Sequence, residues 1–165
     1  MTIVCDTDNS GLGQIYHHTE IGFDIAAIKR IFTDDCPGSI MKNVIQQGLP
    51  QIKYPRASIV QILQNLLSNS IKYMDKPNPL ITISYFEKES YYTICVTDNG
   101  MGIPQERLKE IFNLFEVAHS GRYDIESHGI GLTIVKQLVE ENVGSIWVDS
   151  TLGEETKFQF TVPKN

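Results

Sequence analysis

Two asparagines and a lysine recur at helical spacing in the segment from Gln61 to Tyr73, QILQNLLSNSIKY. At about 100° per residue, Asn65, Asn69 and Lys72 fall in a narrow arc along the edge of an apolar stripe. The stripe consists of Ile62, Leu63, Leu66, Leu67, Ser70 and Ile71. An amide oxygen there can ligate Mg²⁺, which binds few protein oxygens together with phosphates and water, and a lysine can meet a phosphate as a point charge. Taken alone, the segment is more simply explained as a solvated helix face.

A second candidate is the turn DNGMGIP, from Asp98 to Pro104, which follows a predicted strand. Gly100 and Gly102 allow the backbone to turn tightly and a ligand to approach it closely. At the border of a pocket, the Asp98 carboxylate could accept a hydrogen bond from the exocyclic amine of adenine. Guanine would present a carbonyl instead, and such an unpaired polar group discriminates strongly. By itself, the DNG sequence is an ordinary turn.

A third candidate is the segment HGIGLTIVKQLVE, in which Gly129 and Gly131 open a helix with apolar periodicity. The start of a helix exposes unpaired N–H groups and the positive end of the helix dipole, which favour a phosphate. The glycine pair does not complete GxGxxG, because Ile134 occupies the third position, and the chain has no P-loop lysine motif. Dinucleotide-binding and P-loop folds are therefore excluded. Taken alone, the glycines are explained by close packing.

Composition limits the class of protein. The chain has 165 residues with 41% hydrophobic residues and a formal net charge of −6, which predicts one globular domain and disfavours a nucleic-acid partner. No apolar run approaches the roughly 20 residues that span a bilayer. We therefore expect a soluble, cytoplasmic domain without membrane contact of its own, although a parent protein could be membrane-anchored. Cys5, Cys36 and Cys95 form no CxxC pair, and Cys95 is predicted to be a small core residue.

The helices and strands that must position these residues follow from periodicity and from proline and glycine breaks. Residues 1–22 are assigned to a leader or linker of unknown role, and residues 23–165 to one domain. The predicted helices are Phe23–Phe32, Pro55–Tyr73, Gln105–Phe112 and Gly129–Glu141. The predicted strands are Ile40–Gln46, Gln51–Tyr54, Leu80–Glu87, Tyr91–Asp98, Ser145–Ser150 and Thr156–Val162. This irregular order predicts an α+β fold with helices on one face of a sheet.

Taken together and in this order, the three segments resemble the N, G1 and G2 boxes of the catalytic domain of sensor histidine kinases, a branch of the GHKL ATPase superfamily. Asn65–Tyr73 resembles NLLxNAxKY, Asp98–Pro104 resembles DNGxGIP, and Gly129–Leu132 resembles the second half of GxGxGL. Further similarities are Ile111–Phe115 with the F box, Gly144–Ser150 with GGxIWVES and Thr156–Phe158 with STF. The resemblance covers about Phe23 to Pro163. It implies a two-layer α/β sandwich, with a mixed, mostly antiparallel sheet covered by helices on one face (the Bergerat-type ATP-binding fold).

The resemblance also implies a role for each matching residue. Asn69 would ligate the Mg²⁺ that bridges the phosphates of ATP, and Asn65 and Lys72 would be the catalytic residues, with Lys72 and Tyr73 facing the phosphates and the nucleotide. Asp98 would bind the adenine amine. The wall of the pocket would be shaped by Gly100, Gly102 and Ile103, with Thr156 at its border. The phosphates would be met at the helix start by Gly129, Ile130, Gly131 and Leu132.

The resemblance favours a kinase over an ATPase. The hydrolysing members of the superfamily carry a glutamate four residues before the metal-binding asparagine, where this chain has Asn65. An amide cannot accept a proton from water, whereas a neutral histidine brings its own lone pair as nucleophile. The implied function is binding of Mg-ATP and supply of the γ-phosphoryl group to a histidine on a separate helical dimerisation domain, with a response-regulator receiver domain downstream. None of the four histidines in this chain, His17, His18, His119 and His128, lies in the family's phosphoacceptor motif.

Two other functions remain open at this point. One is a serine kinase of the anti-sigma type, from the same superfamily. The other is a degenerate nucleotide-binding or interaction module without kinase activity. Ser127 and Val117 keep that second alternative open, because the family has a glycine and often an arginine at these positions.

Overall fold

The computed structural model describes residues 19–22, 44–46, 50–113 and 130–164. The strands are β1 (Thr19–Gly22), β2 (Val44–Gln46), β3 (Gln51–Tyr54), β4 (Ile81–Glu87), β5 (Tyr91–Asp98), β6 (Ile146–Thr151) and β7 (Glu155–Pro163). The helices in this part of the chain are α1 (Arg56–Lys72) and α2 (Gly131–Glu141), with a 3₁₀ turn at Gln105–Arg107. The predicted helix at Phe23–Phe32 lies outside the described residues.

The main sheet has five strands in the order β2-β4-β5-β7-β6, and a second, two-stranded sheet pairs β1 with β3. In the main sheet, β2 runs parallel to β4, and every other neighbouring pair is antiparallel. The two helices pack against each other, with α1 against β5 and α2 against β6 and β7. The predicted two-layer α/β sandwich with a mixed, mostly antiparallel sheet is thus confirmed.

Helix α1 forms where its sequence predicts it. Pro55 occupies the position before the first helical residue, where its missing N–H costs nothing, and the Ile59 N–H donates to the Pro55 carbonyl at 3.1 Å. The helix ends before Pro77 and Pro79, which cannot continue it. Its buried residues are Ile59, Ile62, Leu63, Leu66, Leu67 and Ser70. The apolar stripe therefore faces the sheet and leaves the polar edge of α1 partly exposed.

Strand β5 is buried on both of its faces. Ile94 and Val96 belong to the core, where they pair in register with Phe160 and Phe158 of β7. Because successive strand residues point to opposite faces, Cys95 lies on the face away from this core. It is fully buried, as predicted, and its thiol contacts the Gln159 side-chain oxygen at 3.8 Å. The sequence predicted its burial but not which side of the sheet it occupies.

Two elements differ from their predictions. Thr19–Gly22 belongs to the predicted leader or linker, for which no strand is expected, but it forms β1 and pairs antiparallel with β3. In place of the predicted helix from Gln105 to Phe112 there is a 3₁₀ turn followed by irregular turns. There the Arg107 N–H donates to the Pro104 carbonyl at 2.9 Å, a bond over three residues that closes a tighter turn than an α-helix. Within the described ranges, no helix has the length and apolarity needed to cross a bilayer.

Candidate functional site

Asp98 ends β5 as a buried carboxylate, only 4% exposed. The Ser70 hydroxyl of α1 donates to its Oδ2 at 2.8 Å, and the Gly100 N–H donates to its Oδ1 at 3.0 Å. The hydrogen bond from Ser70 joins the last turn of α1 to the end of β5. The segments that carry Asn69 and Asp98 therefore meet in the folded chain, although they are far apart in sequence.

The environment of Asp98 acts on its ionisation in opposing directions. Burial is the largest effect and raises the pKa of the carboxyl above its usual value of 3.8. The hydrogen bonds from Ser70 and Gly100 lower the pKa, because they stabilise the charged form, and the nearby Glu155 raises it further. Burial of a charged carboxylate costs free energy of folding. A buried carboxyl with a shifted pKa is therefore typical of a functional site.

A row of hydroxyl groups lies beside Asp98. Thr156 pairs in register with Asp98 across β5 and β7 and is buried. Its hydroxyl lies 3.3 Å from the hydroxyl of Ser150, which accepts a hydrogen bond from the Ile103 N–H at 2.8 Å and donates one to the Glu155 carbonyl at 2.6 Å. The structure thus brings Thr156 and Ile103 together with Asp98. No motif or periodic pattern in the sequence marks Ser150 as a site residue.

The two glycines of the DNGMG turn permit close backbone contacts. A Cβ on Gly100 would lie 2.7 Å from the Tyr73 carbonyl oxygen at the end of α1. Gly102 has a φ of +69°, and a Cβ there would lie 2.1 Å from the carbonyl oxygen of Thr151. Between them, the Met101 N–H donates to the Tyr73 carbonyl at 3.1 Å. The turn is therefore tied to both α1 and the end of β6.

The polar edge of α1 faces the start of α2. Asn65, Asn69 and Lys72 are all half-buried. The Asn65 side-chain N–H donates to the Gln61 carbonyl at 2.8 Å, and its Oδ1 lies only 2.8 Å from where a Cβ on Gly131 would be. The first residue of α2 thus approaches the asparagine edge as closely as a glycine allows.

The start of α2 has the features that favour an anion. Among the described residues, no side chain caps this helix end, so the N–H groups of its first turn lack a capping acceptor there. Ile130 is exposed, whereas Leu132 packs against the core. The Thr133 hydroxyl donates to the Phe112 carbonyl at 3.2 Å and fixes the helix start to the chain that follows the 3₁₀ turn. Gly129, also predicted to contact phosphate, lies outside the described residues.

The remaining predicted residues lie at the end of α1. The Lys72 ammonium group lies 5.6 Å from the centroid of the Tyr73 ring, a cation–π distance. The described part of the chain holds no group of three or more histidine, cysteine or acidic side chains that could bind a metal ion. Besides Asn65, whose oxygen lies against Gly131, this edge carries the side-chain amide oxygen of Asn69. It suits Mg²⁺, which binds through one or two protein oxygens and completes its shell with phosphates and water.

Comparison with known proteins identifies a family. The family model described as "Histidine kinase-, DNA gyrase B-, and HSP90-like ATPase" matches residues 55–165. The catalytic domain of histidine kinase ThkA, solved in a nucleotide-free form, has a similar fold with a TM-score of 0.66 and 25% identity, over 85% of this chain and 91% of that one.

Curated relatives are much longer proteins. Cyanobacterial phytochrome B from Nostoc sp. (strain PCC 7120 / SAG 25.82 / UTEX 2576) is 42% identical over 119 residues, which are 72% of this chain and 16% of that protein. The methanogenesis regulatory histidine kinase FilI from Methanothrix harundinacea (strain 6Ac) is 35% identical over 124 residues, 74% of this chain and 14% of that protein. The chain thus spans about a sixth or less of these relatives. It belongs to the histidine kinase-, DNA gyrase B- and HSP90-like ATPases, and within them to the catalytic ATPase domains of histidine kinases.

Proposed function

We propose that this chain binds Mg-ATP between the polar edge of α1, the start of α2 and the end of β5. It then supplies the γ-phosphoryl group to a histidine on a separate helical dimerisation domain. The observation that carries the proposal is the 2.8 Å hydrogen bond from Ser70 to Asp98, which joins the helix of the two asparagines to the buried carboxylate. The close approach of Gly131 to Asn65 brings the start of α2 to the same helix.

The base would bind at the end of β5. The Asp98 carboxylate would accept a hydrogen bond from the exocyclic amine of adenine, next to the buried Thr156. The turn through Gly100 and Gly102 would form the wall, since its backbone is held by α1 and by the end of β6. Ile103 would contribute its buried side chain, because its N–H already donates a hydrogen bond to the Ser150 hydroxyl.

The phosphates would bind between the polar edge of α1 and the start of α2. Asn69 would ligate a Mg²⁺ that bridges them, and the Lys72 ammonium group would add a positive charge. The N–H groups around Gly131 at the start of α2 would face the phosphates, together with Gly129, Ile130 and Leu132. In a chain with a net charge of −6, these local donors and the metal supply the positive field that a triphosphate needs.

Transfer to histidine fits this site better than hydrolysis. Phosphoryl transfer requires chiefly positioning and charge compensation, and a histidine is itself the nucleophile. Water would need a general base, and the amide of Asn65 is not one. The two relatives described above include a named histidine kinase, FilI, which supports a role in two-component signalling with a receiver domain downstream. We place the reaction in the cytoplasm, where ATP is available.

Calorimetric titration of the chain with ADP and ATP, with and without Mg²⁺, tests the proposal. We expect binding in the micromolar to millimolar range, with ATP affinity increased by Mg²⁺. Asn69→Ala should abolish this increase, because it removes the amide oxygen that binds the metal. Ser68→Ala, on the exposed side of the same helix, is the matched control and should titrate like the wild-type chain. If the wild-type chain bound neither nucleotide, the proposal would be wrong and the interaction-module alternative would stand.

A further inference from the structure

Ser70 is a polar residue on the otherwise apolar stripe of α1. It is 2% exposed, and its hydroxyl donates to Asp98 Oδ2 at 2.8 Å. The family pattern that this segment resembles, NLLxNAxKY, has alanine at this position. The hydroxyl therefore adds a contact to the buried carboxylate that an alanine would not make.

We infer that Ser70 is a positioning residue that makes the site selective for adenine, which has an amine where guanine and hypoxanthine have a carbonyl, by holding the Asp98 carboxylate as a fixed acceptor. This inference rests on the proposed function, because it assigns Asp98 to the base of a nucleotide. It adds a specificity role to a serine at a position where the family pattern has alanine.

The hydrogen bonds to Asp98 explain how the carboxylate is fixed. An ionised carboxylate has about four lone-pair sites, two on each oxygen. Ser70 takes one on Oδ2, and the Gly100 N–H takes one on Oδ1. Rotation of the carboxylate would break both bonds, and in a site 4% exposed little water is available to replace them. The lone pairs to which no described residue donates therefore keep fixed directions.

A fixed acceptor discriminates between bases. An exocyclic amine can donate to the free lone pairs, whereas a carbonyl at the same position would face another acceptor and stay unpaired. A neutral carboxyl would lose this discrimination, because its O–H could donate to a carbonyl. Burial and the charge of Glu155 favour that neutral form by raising the pKa of Asp98, and the bonds from Ser70 and Gly100 oppose them. Loss of the Ser70 hydroxyl removes one of these two opposing bonds.

The test compares ADP with inosine diphosphate, which has a carbonyl in place of the amine. Both are titrated calorimetrically into the full 165-residue chain with EDTA present, so that no metal contributes. We expect the wild-type chain to prefer ADP. Ser70→Ala should weaken ADP binding about ten-fold and bring the two affinities close together, since a hydrogen bond to a charged group is lost. Ser70→Thr keeps a hydroxyl and should keep the preference, and Ser68→Ala should behave as wild type.

The outcomes separate this inference from the proposed function. If the wild-type chain binds no ADP, the proposed function fails and the inference fails with it. If it prefers ADP and Ser70→Ala keeps the same ratio of affinities, only the inference is wrong. Loss of the preference in Ser70→Thr as well would also refute it, because volume rather than the hydroxyl would then matter. Should Ser70→Ala not fold by circular dichroism, Ser70→Cys fills the space with a weak donor and must show the same loss.

Discussion

At the scale of single residues, Asp98 shows a conflict between stability and function. Its burial raises the pKa of the carboxyl, so the folded chain binds this proton more tightly than the unfolded chain does. The folded state is therefore favoured at low pH, and this contribution is lost as pH rises from 3.8 toward the raised pKa. Once the carboxyl is ionised, its burial costs free energy of folding, which a ligand would offset by donating a hydrogen bond to it.

Asp98→Asn should accordingly stabilise the nucleotide-free chain at neutral pH while weakening ADP binding. An asparagine amide can accept from Gly100 and donate to Ser70, so both contacts are kept without the buried charge. We expect the Tm to rise by a few degrees at pH 7, since about 1 kcal/mol corresponds to about 2–4 °C for a domain of this size. Scanning calorimetry of both chains between pH 3.5 and 8 measures the difference. It should shrink toward the acid end, and a lower Tm for the variant at pH 7 would contradict the argument.

The sequence marked Asp98 as a candidate site residue, but it did not predict the hydrogen bond from Ser70 that orients the carboxylate. A carboxylate in a DNG turn at a strand end is visible in the sequence, and the resemblance gave it a role. Ser70 fell on the buried stripe of α1 by periodicity alone, and its partner lies 28 positions away. Ser150 was missed for the same reason, since its contacts reach across strands to Ile103. Side-chain hydrogen bonds between distant segments leave no periodic pattern.

At the scale of elements, the strongly periodic segments were predicted closely. The helix predicted at Pro55–Tyr73 is observed at Arg56–Lys72, and the strand Tyr91–Asp98 has the predicted bounds. The predictions were poorest where tertiary pairing decides the structure. Thr19–Gly22 has no alternating pattern of its own, and it becomes a strand because β3 offers its backbone as a partner.

The turn that follows β5 gives a prediction with a built-in control. Gly102 and Gly153 both have positive φ values, +69° and +81°. A Cβ on Gly102 would also lie 2.1 Å from the Thr151 carbonyl oxygen, whereas one on Gly153 would have no atom within 4 Å. Gly153→Ala should thus cost about 1–2 kcal/mol of backbone strain, and Gly102→Ala should cost about 1–3 kcal/mol more from overpacking.

Urea denaturation of the two variants measures this difference. Equal losses of unfolding free energy would show that the chain around Thr151 shifts easily to admit the extra methyl group. The turn that forms the wall of the proposed pocket would then not be rigid. A larger loss for Gly102→Ala should be accompanied by weaker ADP binding, because the turn that carries Gly100 and Ile103 would shift. Gly153→Ala should bind ADP as the wild-type chain does.

At the scale of the whole molecule, the helices and the site belong to the same side of the sheet. Core residues such as Ile94 and Phe160 pack on this side, and Asp98 follows in the same alternation along β5. The opposite side is polar at its centre, where the Gln159 side-chain N–H donates to the Asp149 carboxylate at 2.6 Å. The order of elements predicted this arrangement, in which the helices of the described residues lie on one face of the sheet.

At the same scale, we expect the chain to bind ATP without hydrolysing it. The Asn65 amide donates to the Gln61 carbonyl, and its oxygen lies against Gly131, so it offers no base for a water molecule. Loss of a general base is worth roughly 10²–10⁴ in rate. We therefore expect negligible phosphate release from Mg-ATP by the chain alone, under conditions in which calorimetry shows the nucleotide to be bound.

A phosphate-release assay with and without an acceptor decides whether the chain is a kinase domain or an ATPase. Addition of a helical domain that carries the phosphoacceptor histidine should yield a phosphoprotein that is labile in acid, whereas phosphoserine would survive acid. Asn69→Ala is the control for contaminating ATPases, because a contaminant would release phosphate at the same rate in this preparation. Rapid release by the wild-type chain alone that disappears in Asn69→Ala would contradict the role given to Asn65. Water would then be reaching the phosphate with a base that the polar edge of α1 does not provide.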